Sequence, residues 1–393
     1  MEKSQMESTP GERESLANLL ASYRVDFLPM QRLDHFEPGA IWPDENRVPI
    51  NAHGAGLLHH AETFYWFGEH KIEGRAGNKA HVGVHVYASE DLYNWRDSGI
   101  ALAVSDDPQS DITRECILER PKVLFNAKTG KFVMWFHLEP KTKEVSYAGA
   151  KTGIAVADAP AGPYRFLRSL RPNAGVWPKN VPEESKKPLS PEELAQVTAL
   201  NLPGGPLPYY PKQLGFRRDF EGGQMSRDMT LFLDDDGTAY HLHASEDNGT
   251  LHISKLSDDF LSPAGEYVRA FPGGFHEAPA LMKWRGRYFL FTSGCTGWAP
   301  NSARVSVADS IWGPWEELGN PCIGGGKAIS TTFDSQSTYI LPIPGKPDAF
   351  LFLADRWCPD NAIDGRYVWL PIRFRHGTPM IEWLDAWKLE ELG

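Results

Sequence analysis

Forty Lys and Arg against 51 Asp and Glu give this 393-residue chain a net charge of −11. That balance argues against a partner held through its phosphates, because nucleic-acid and anionic-membrane binding is driven largely by Lys and Arg; a neutral substrate fits better. Hydrophobic residues make up 41%, charged residues 23% and aromatics 12%, with 36 Gly and 31 Pro, which excludes a disordered chain and suits many short strands joined by turns.

Residues 1–24 read as a polar lead-in with a short helix at 12–22. The opening "MEKSQMESTPGERESLANLL" lacks the apolar core of a signal peptide. The chain is therefore expected either to stay inside the cell or to be a secreted or periplasmic protein that has lost a leader. From residue 25 onward, strand pairs dominate. "AGLLHHAETFYWFGE" is two apolar runs about a polar turn, and "PKVLFNAKTGKFVMWFHLE" repeats it around Lys128-Thr129-Gly130. "TLFLDDDGTAYHLHAS" and "ALMKWRGRYFLFTSG" follow the same plan. "KTGIAVADAPAGPYRFL" resembles the later "SARVSVADSIWGPWEEL".

A unit thus recurs: polar lead residue, strand, tight turn, strand. The leads fall near His53, Glu119, Asp228, Glu277 and Gln336. A hairpin with one apolar face cannot bury itself, so five such units must stack, and radial stacking leaves no long exposed edge. The expected fold is all-β, a five-bladed β-propeller over 25–393. A Pro-rich, charged surface insertion at about 170–225 interrupts it, with one short helix near 190–200. So long a loop is more often functional than idle.

In a propeller the first strand of each blade starts near the axis, so the five leads should ring one pocket. Several carboxyls crowded among aromatics form a constellation suited to glycoside hydrolysis: one acid for the leaving oxygen, one group acting on water. Crowding would raise the pKa of one carboxyl and keep it protonated. Other motifs have blander readings. "DDDG" at 234–237 lacks the spaced ligands of a calcium loop and reads as a hairpin turn; His241 and His243 read as packing. Cys116, Cys295, Cys322 and Cys358 show no CxxC spacing, so neither a zinc site nor a disulfide framework is indicated. No run of about 18 apolar residues spans a membrane.

The ordered segments "AHGAGLLHHAETFYWFGE", "LERPKVLFNAKTGKFVMWFH", "SRDMTLFLDDDGTAYHL", "HEAPALMKWRGRYFLFTS", "FDSQSTYI" and "ADRWCPDNAIDGRYVWLPI" resemble glycoside hydrolase family 43, in its exo-β-1,3-galactanase and β-galactosidase branch. The resemblance covers roughly residues 30–390. It implies a five-bladed propeller that inverts the anomeric carbon, with Glu277 as general acid and Asp228 tuning and orienting it. Most of the family takes its base from a first-blade aspartate, but here that blade reads "NAHGAG" with His53. The branch instead offers a fifth-blade glutamine, so Gln336 is expected to hold the attacking water and Glu119 to orient the sugar, with Glu119 as the competing carboxylate that could take the water's proton. Trp298, Trp357, Tyr367 and Trp66 are candidates for stacking on sugar; His53, Arg120, Asn361 and Arg366 are further substrate-binding candidates. No cofactor is implied, although a structural calcium near the axis occurs in the family.

The substrate expected on this reading is an oligo- or polysaccharide, with galactose released from β-1,3-galactan or arabinogalactan-type glycans. Two alternatives stand beside it: an α-L-arabinofuranosidase or β-xylosidase on the same fold, and a non-catalytic carbohydrate-binding propeller.

Overall fold

The computed structural model describes residues 32–141, 147–187, 189–198, 215–324 and 327–392. The chain divides into residues 1–33 and 34–393, and all that follows concerns the second unit. The helix expected at 12–22 lies outside the described residues.

Five sheets, antiparallel but for one added strand in the fifth, follow one another along the chain. Blade one is β1 (His53–His60), β2 (Thr63–Glu69), β3 (Gly83–Ser89) and β4 (Arg96–Ala103). Blade two is β5 (Ile117–Asn126), β6 (Lys131–Glu139), β7 (Lys151–Ala157) and β8 (Arg165–Leu170). Blade three is β9 (Met229–Leu233), β10 (Ala239–Ser245), β11 (Thr250–Leu256) and β12 (Pro263–Ala270). Blade four is β13 (Glu277–Trp284), β14 (Arg287–Ser293), β15 (Arg304–Ala308) and β16 (Glu316–Gly319). Blade five takes β17 (Cys322–Ile323) as an added outer strand, parallel to β21 (Thr378–Glu382), beside β18 (Gln336–Pro342), β19 (Phe350–Arg356) and β20 (Arg366–Arg375).

The first strands touch in a ring, β1 to β5 to β9 to β13 to β18 and back to β1. The molecule is a five-bladed β-propeller. Each interface between blades has its own apolar filling, because each sheet has two faces and no other layer to bury them against. Leu58, Val86, Phe132 and Met134 fill the gap between blades one and two; Trp135, Leu231 and Ala239 fill that between two and three. Ring closure is aromatic. Phe36 and Trp387 exchange backbone hydrogen bonds of 2.9 and 3.1 Å, and their rings stack with centroids 4.4 Å apart. Trp42, Trp66 and Trp369 complete this cluster. Trp66 is fully buried there, with its indole N–H on Ala52 O, so it is core and not a sugar platform.

Two other expectations meet the structure here. A helix at Pro191–Thr198 and another at Gly215–Arg218 lie within the insertion. The "DDDG" segment is a hairpin turn, closed by Asp234 N–H to Thr238 O at 2.9 Å.

Candidate functional site

The lead residues reach the axis through a repeated irregularity. The register of the first two strands slips between His53 and Gly56, Glu119 and Lys122, Glu277 and Ala280, and Ser337 and Tyr339. In blades one, two and four the residue after the lead is left-handed: Gly54 at φ 64°, Arg120 at 53° and Ala278 at 52°. Such bulges re-aim a side chain and recur beside active sites. For Arg120 and Ala278 the left-handed backbone is strained, and such strain persists only where surrounding contacts enforce it.

A cavity of about 260 Å³ opens at this end of the axis. That is small beside the roughly 300–1,000 Å³ of pockets for drug-sized ligands, and it suits a single sugar unit. Glu119, Asp228, Glu277 and Gln336 all line it, as do Arg120, Trp298 and Trp357. Trp298 and Trp357 meet edge to face, centroids 5.9 Å apart, with Trp298 39% exposed at the rim.

His53, Asn361, Arg366 and Tyr367 are not among the lining residues. His53 is buried against Tyr367, ring centroids 5.2 Å apart, with Asp355 3.6 Å from its Nδ1. The Tyr367 hydroxyl is spent on Ile50 O and Ala52 N–H, both at 2.9 Å. Asn361 accepts from Gly74 N–H at 2.7 Å, and Arg366 donates to the carbonyls of Asp364 and Gly365. These four hold loops and core together. In blade one the lining group is instead Glu69, which faces His53 across the ladder.

Reasoning from the leads alone also misses His137, Tyr147, Arg227, Asp247, Asn248, Phe275 and Cys295. A signal existed for part of this set. In four blades a polar residue at or near the end of the second strand pairs with the blade's lead: Glu69 with His53, His137 with Glu119, Ser293 with Glu277, Asp355 with Gln336.

The carboxyls divide into two environments. Burial, together with the negative charge of Asp228, pushes Glu277 up to about 8. Asn248 Nδ2 donates to its Oε1 at 2.5 Å. Asp228 itself is anchored by Arg120 Nε at 2.9 Å and by Ala278 N–H at 3.1 Å. Cys295 neighbours Glu277, and burial and that carboxyl push its thiol up, so it stays protonated.

On the other wall, burial would raise Glu119, but a hydrogen bond and charge from His137 outweigh it and hold it near 2. His137 bridges Glu119 and Glu139, 3.0 Å from each. Burial opposes its charge, yet the two carboxylates lift it to about 10, so it is an imidazolium. Tyr147 OH adds a hydrogen bond of 2.9 Å to Glu119 Oε1.

Donor atoms of Glu119, His137 and Asp228 lie within 4.8 Å of one another, near enough to suggest a cation site. The chemistry does not fit one. Both His137 nitrogens carry protons directed at carboxylates, leaving no lone pair for a metal.

Gln336 is more constrained than its position suggests. Its Oε1 accepts from Arg120 Nη2 at 2.6 Å and from Trp357 Nε1 at 2.9 Å, while its Nε2 lies 2.9 Å from Ser293 Oγ. Arginine and tryptophan can only donate, so the amide orientation is set by chemistry and both oxygen lone pairs are taken. Gln336 can offer a water one remaining hydrogen but no acceptor. An imidic tautomer would need a hydroxyl where two donors already point.

The comparisons with known proteins agree with this architecture. The family description "Glycosyl hydrolases family 43" matches residues 210–327. A solved family 43 β-1,3-galactosidase with galactodeoxynojirimycin shares 49% identity at TM-score 0.82, over 90% of this chain and all of that one. An exo-β-1,3-galactanase from Phanerochaete chrysosporium, solved with galactose, shares 31% identity at TM-score 0.71, over 91% of this chain and 68% of that one. A curated β-D-galactofuranosidase from Aspergillus niger is 29% identical over 147 residues, 37% of this chain and 41% of that protein's length. The chain belongs to glycoside hydrolase family 43.

Proposed function

We propose that the protein is an exo-acting, inverting glycoside hydrolase that releases galactose from β-1,3-galactan or arabinogalactan-type glycans. The carrying observation is a carboxyl held protonated at neutral pH, Glu277, beside a second carboxylate, Asp228, in a cavity sized for one sugar. A β-1,3-galactosidase and an exo-β-1,3-galactanase among its relatives support the sugar.

In this reading Glu277 gives its proton to the glycosidic oxygen as the bond to the anomeric carbon breaks. Asp228 keeps Glu277 protonated until then, and Arg120 holds Asp228 and Gln336 in one frame. Gln336 orients the attacking water through its free amide hydrogen. The water's proton passes to a carboxylate, and Glu119, ionised and fixed by His137 and Tyr147, is the acceptor we assign. Trp298 and Trp357 form the platform at the rim.

The test is incubation with β-1,3-galactobiose and a panel of nitrophenyl glycosides, following the first-formed anomer by proton NMR. Galactose of inverted configuration is expected. Release of arabinose or xylose alone would turn the reading to the related pentosidases. Galactan binding without any released sugar would make the protein a carbohydrate-binding propeller.

A further inference from the structure

The turn between β10 and β11 is unusual in its backbone and in what grips it. Glu246, Asp247 and Asn248 are all left-handed, at φ 53°, 55° and 66°. Asn and Asp tolerate that region, whereas Glu246 there carries a cost and three such residues in a row are rare, so the surroundings must hold the turn. They do so through charge. Buried Glu246 receives Arg269 Nε at 2.7 Å and Nη2 at 2.8 Å, and it meets His252 Nε2 at 2.8 Å. Asp247 pairs with Arg218 and, at 3.5 Å, with Arg227. The third residue, Asn248, lines the cavity and donates to Glu277 Oε1.

Part of this grip comes from the insertion. Arg218 belongs to its helix Gly215–Arg218. Phe216, from the same turn, is buried with its ring 4.6 Å from the Arg269 guanidinium that clasps Glu246. The insertion therefore holds the turn at two neighbouring points, Asp247 directly and Glu246 through Arg269.

We infer that Asn248 is a positioning residue for Glu277, and that the insertion holds Asn248 in place through Arg218 and Phe216. An amide N–H on Oε1 leaves the acid's proton on Oε2 and fixes the plane of the carboxyl. The proton then lies along one direction and not two. This rests on the assignment of Glu277 as the acid.

The experiment is a leaving-group series of aryl β-galactosides, from phenyl to 2,4-dinitrophenyl. Neither contains a sugar in the leaving-group position, so contacts to a second sugar do not enter. Asn248→Gly removes the amide while suiting the left-handed backbone; Asn248→Asp removes the donor at nearly constant shape and serves if the glycine variant fails to fold. Both variants should lose about 10-fold to 100-fold in kcat on the phenyl substrate, a loss of the size that misplacing a catalytic group produces. On the dinitrophenyl substrate, which needs no proton, the loss should stay under about 3-fold. Losing a donor to the ionised form should also move the basic limb of the pH profile upward. Arg218→Met should steepen the series in the same sense, less strongly.

Equal losses on both substrates, or none on either, would overturn the positioning role. Steepening in the Asn248 variants with a wild-type series in Arg218→Met would overturn the insertion's part. Glu277→Gln, run alongside, separates these from failure of the acid assignment: a wild-type slope in that variant would sink the assignment itself.

Discussion

Two walls of one cavity treat their carboxyls in opposite ways. Glu277 is buried and also faces a like charge in Asp228, so it keeps its proton to about pH 8. Glu119 faces an imidazolium shared with Glu139 and a tyrosine hydroxyl, so it stays ionised down to about pH 2. Both belong to the same residue type and to matching places in a repeated blade. Neighbours supplied by the second strand and by loops, not the lead position, decide which carboxyl keeps its proton at neutral pH and which is ionised.

The largest way to break this comparison is Glu277→Gln. Turnover of β-1,3-galactobiose should fall by about 10²–10⁴-fold, the usual worth of a general acid, while circular dichroism stays native. Near-normal turnover would leave Glu277 without its role.

The opposite wall breaks at His137→Asn, which strips the buried Glu119 of its charged partner. Loss of one member of a buried pair costs about 3–5 kcal/mol, read by urea unfolding at pH 7. The pH window follows from the two shifts. The folded pKa of Glu119 is lowered, so its contribution is full above the ordinary carboxylate range and fades as pH falls toward 2. That of His137 is raised, so its contribution is full below about 6.5 and fades as pH rises through about 10. The difference between wild type and variant should therefore be greatest between about pH 5 and 6.5; a difference that does not vary with pH would refute the ionic account.

Gln336→Glu keeps acceptors for Arg120 and Trp357 but loses the hydrogen assigned to the water. Turnover should drop about 10²-fold, and a more active variant would show that the site wants a base there. The smallest expected effect is that of Asp228→Asn, which removes a like charge and lets Glu277 titrate lower. The basic limb of the pH–rate profile should move down in pH; an unmoved limb would assign the raised pKa to burial alone.

Much of this was legible in the chain because the blade repeat is a chemical repeat. A polar residue ahead of an apolar strand marks the axis, and Glu119, Asp228, Glu277 and Gln336 do line the cavity. His53 broke that rule because Glu69, its partner across the ladder, takes the lining place in blade one. Glu69 and His137 could have been found by the same periodicity, one strand later. Tyr147, Asp247 and Asn248 could not, since they sit in turns whose left-handed backbones follow no period. Asn361, Arg366 and Tyr367 were drawn into the site by their motif, yet their polar atoms are committed to neighbouring loops. Nor does any pattern in the sequence reveal that both lone pairs of Gln336 are taken, because the donors arrive from Arg120 and Trp357.

The account stands on a proton that Glu277 still carries at neutral pH, and kcat/KM for β-1,3-galactobiose against pH reads it in the free enzyme. Activity persisting through pH 7 and falling with an apparent pKa near 8 is the predicted result. A fall already complete by pH 6, in the range of an ordinary carboxylate, would contradict it.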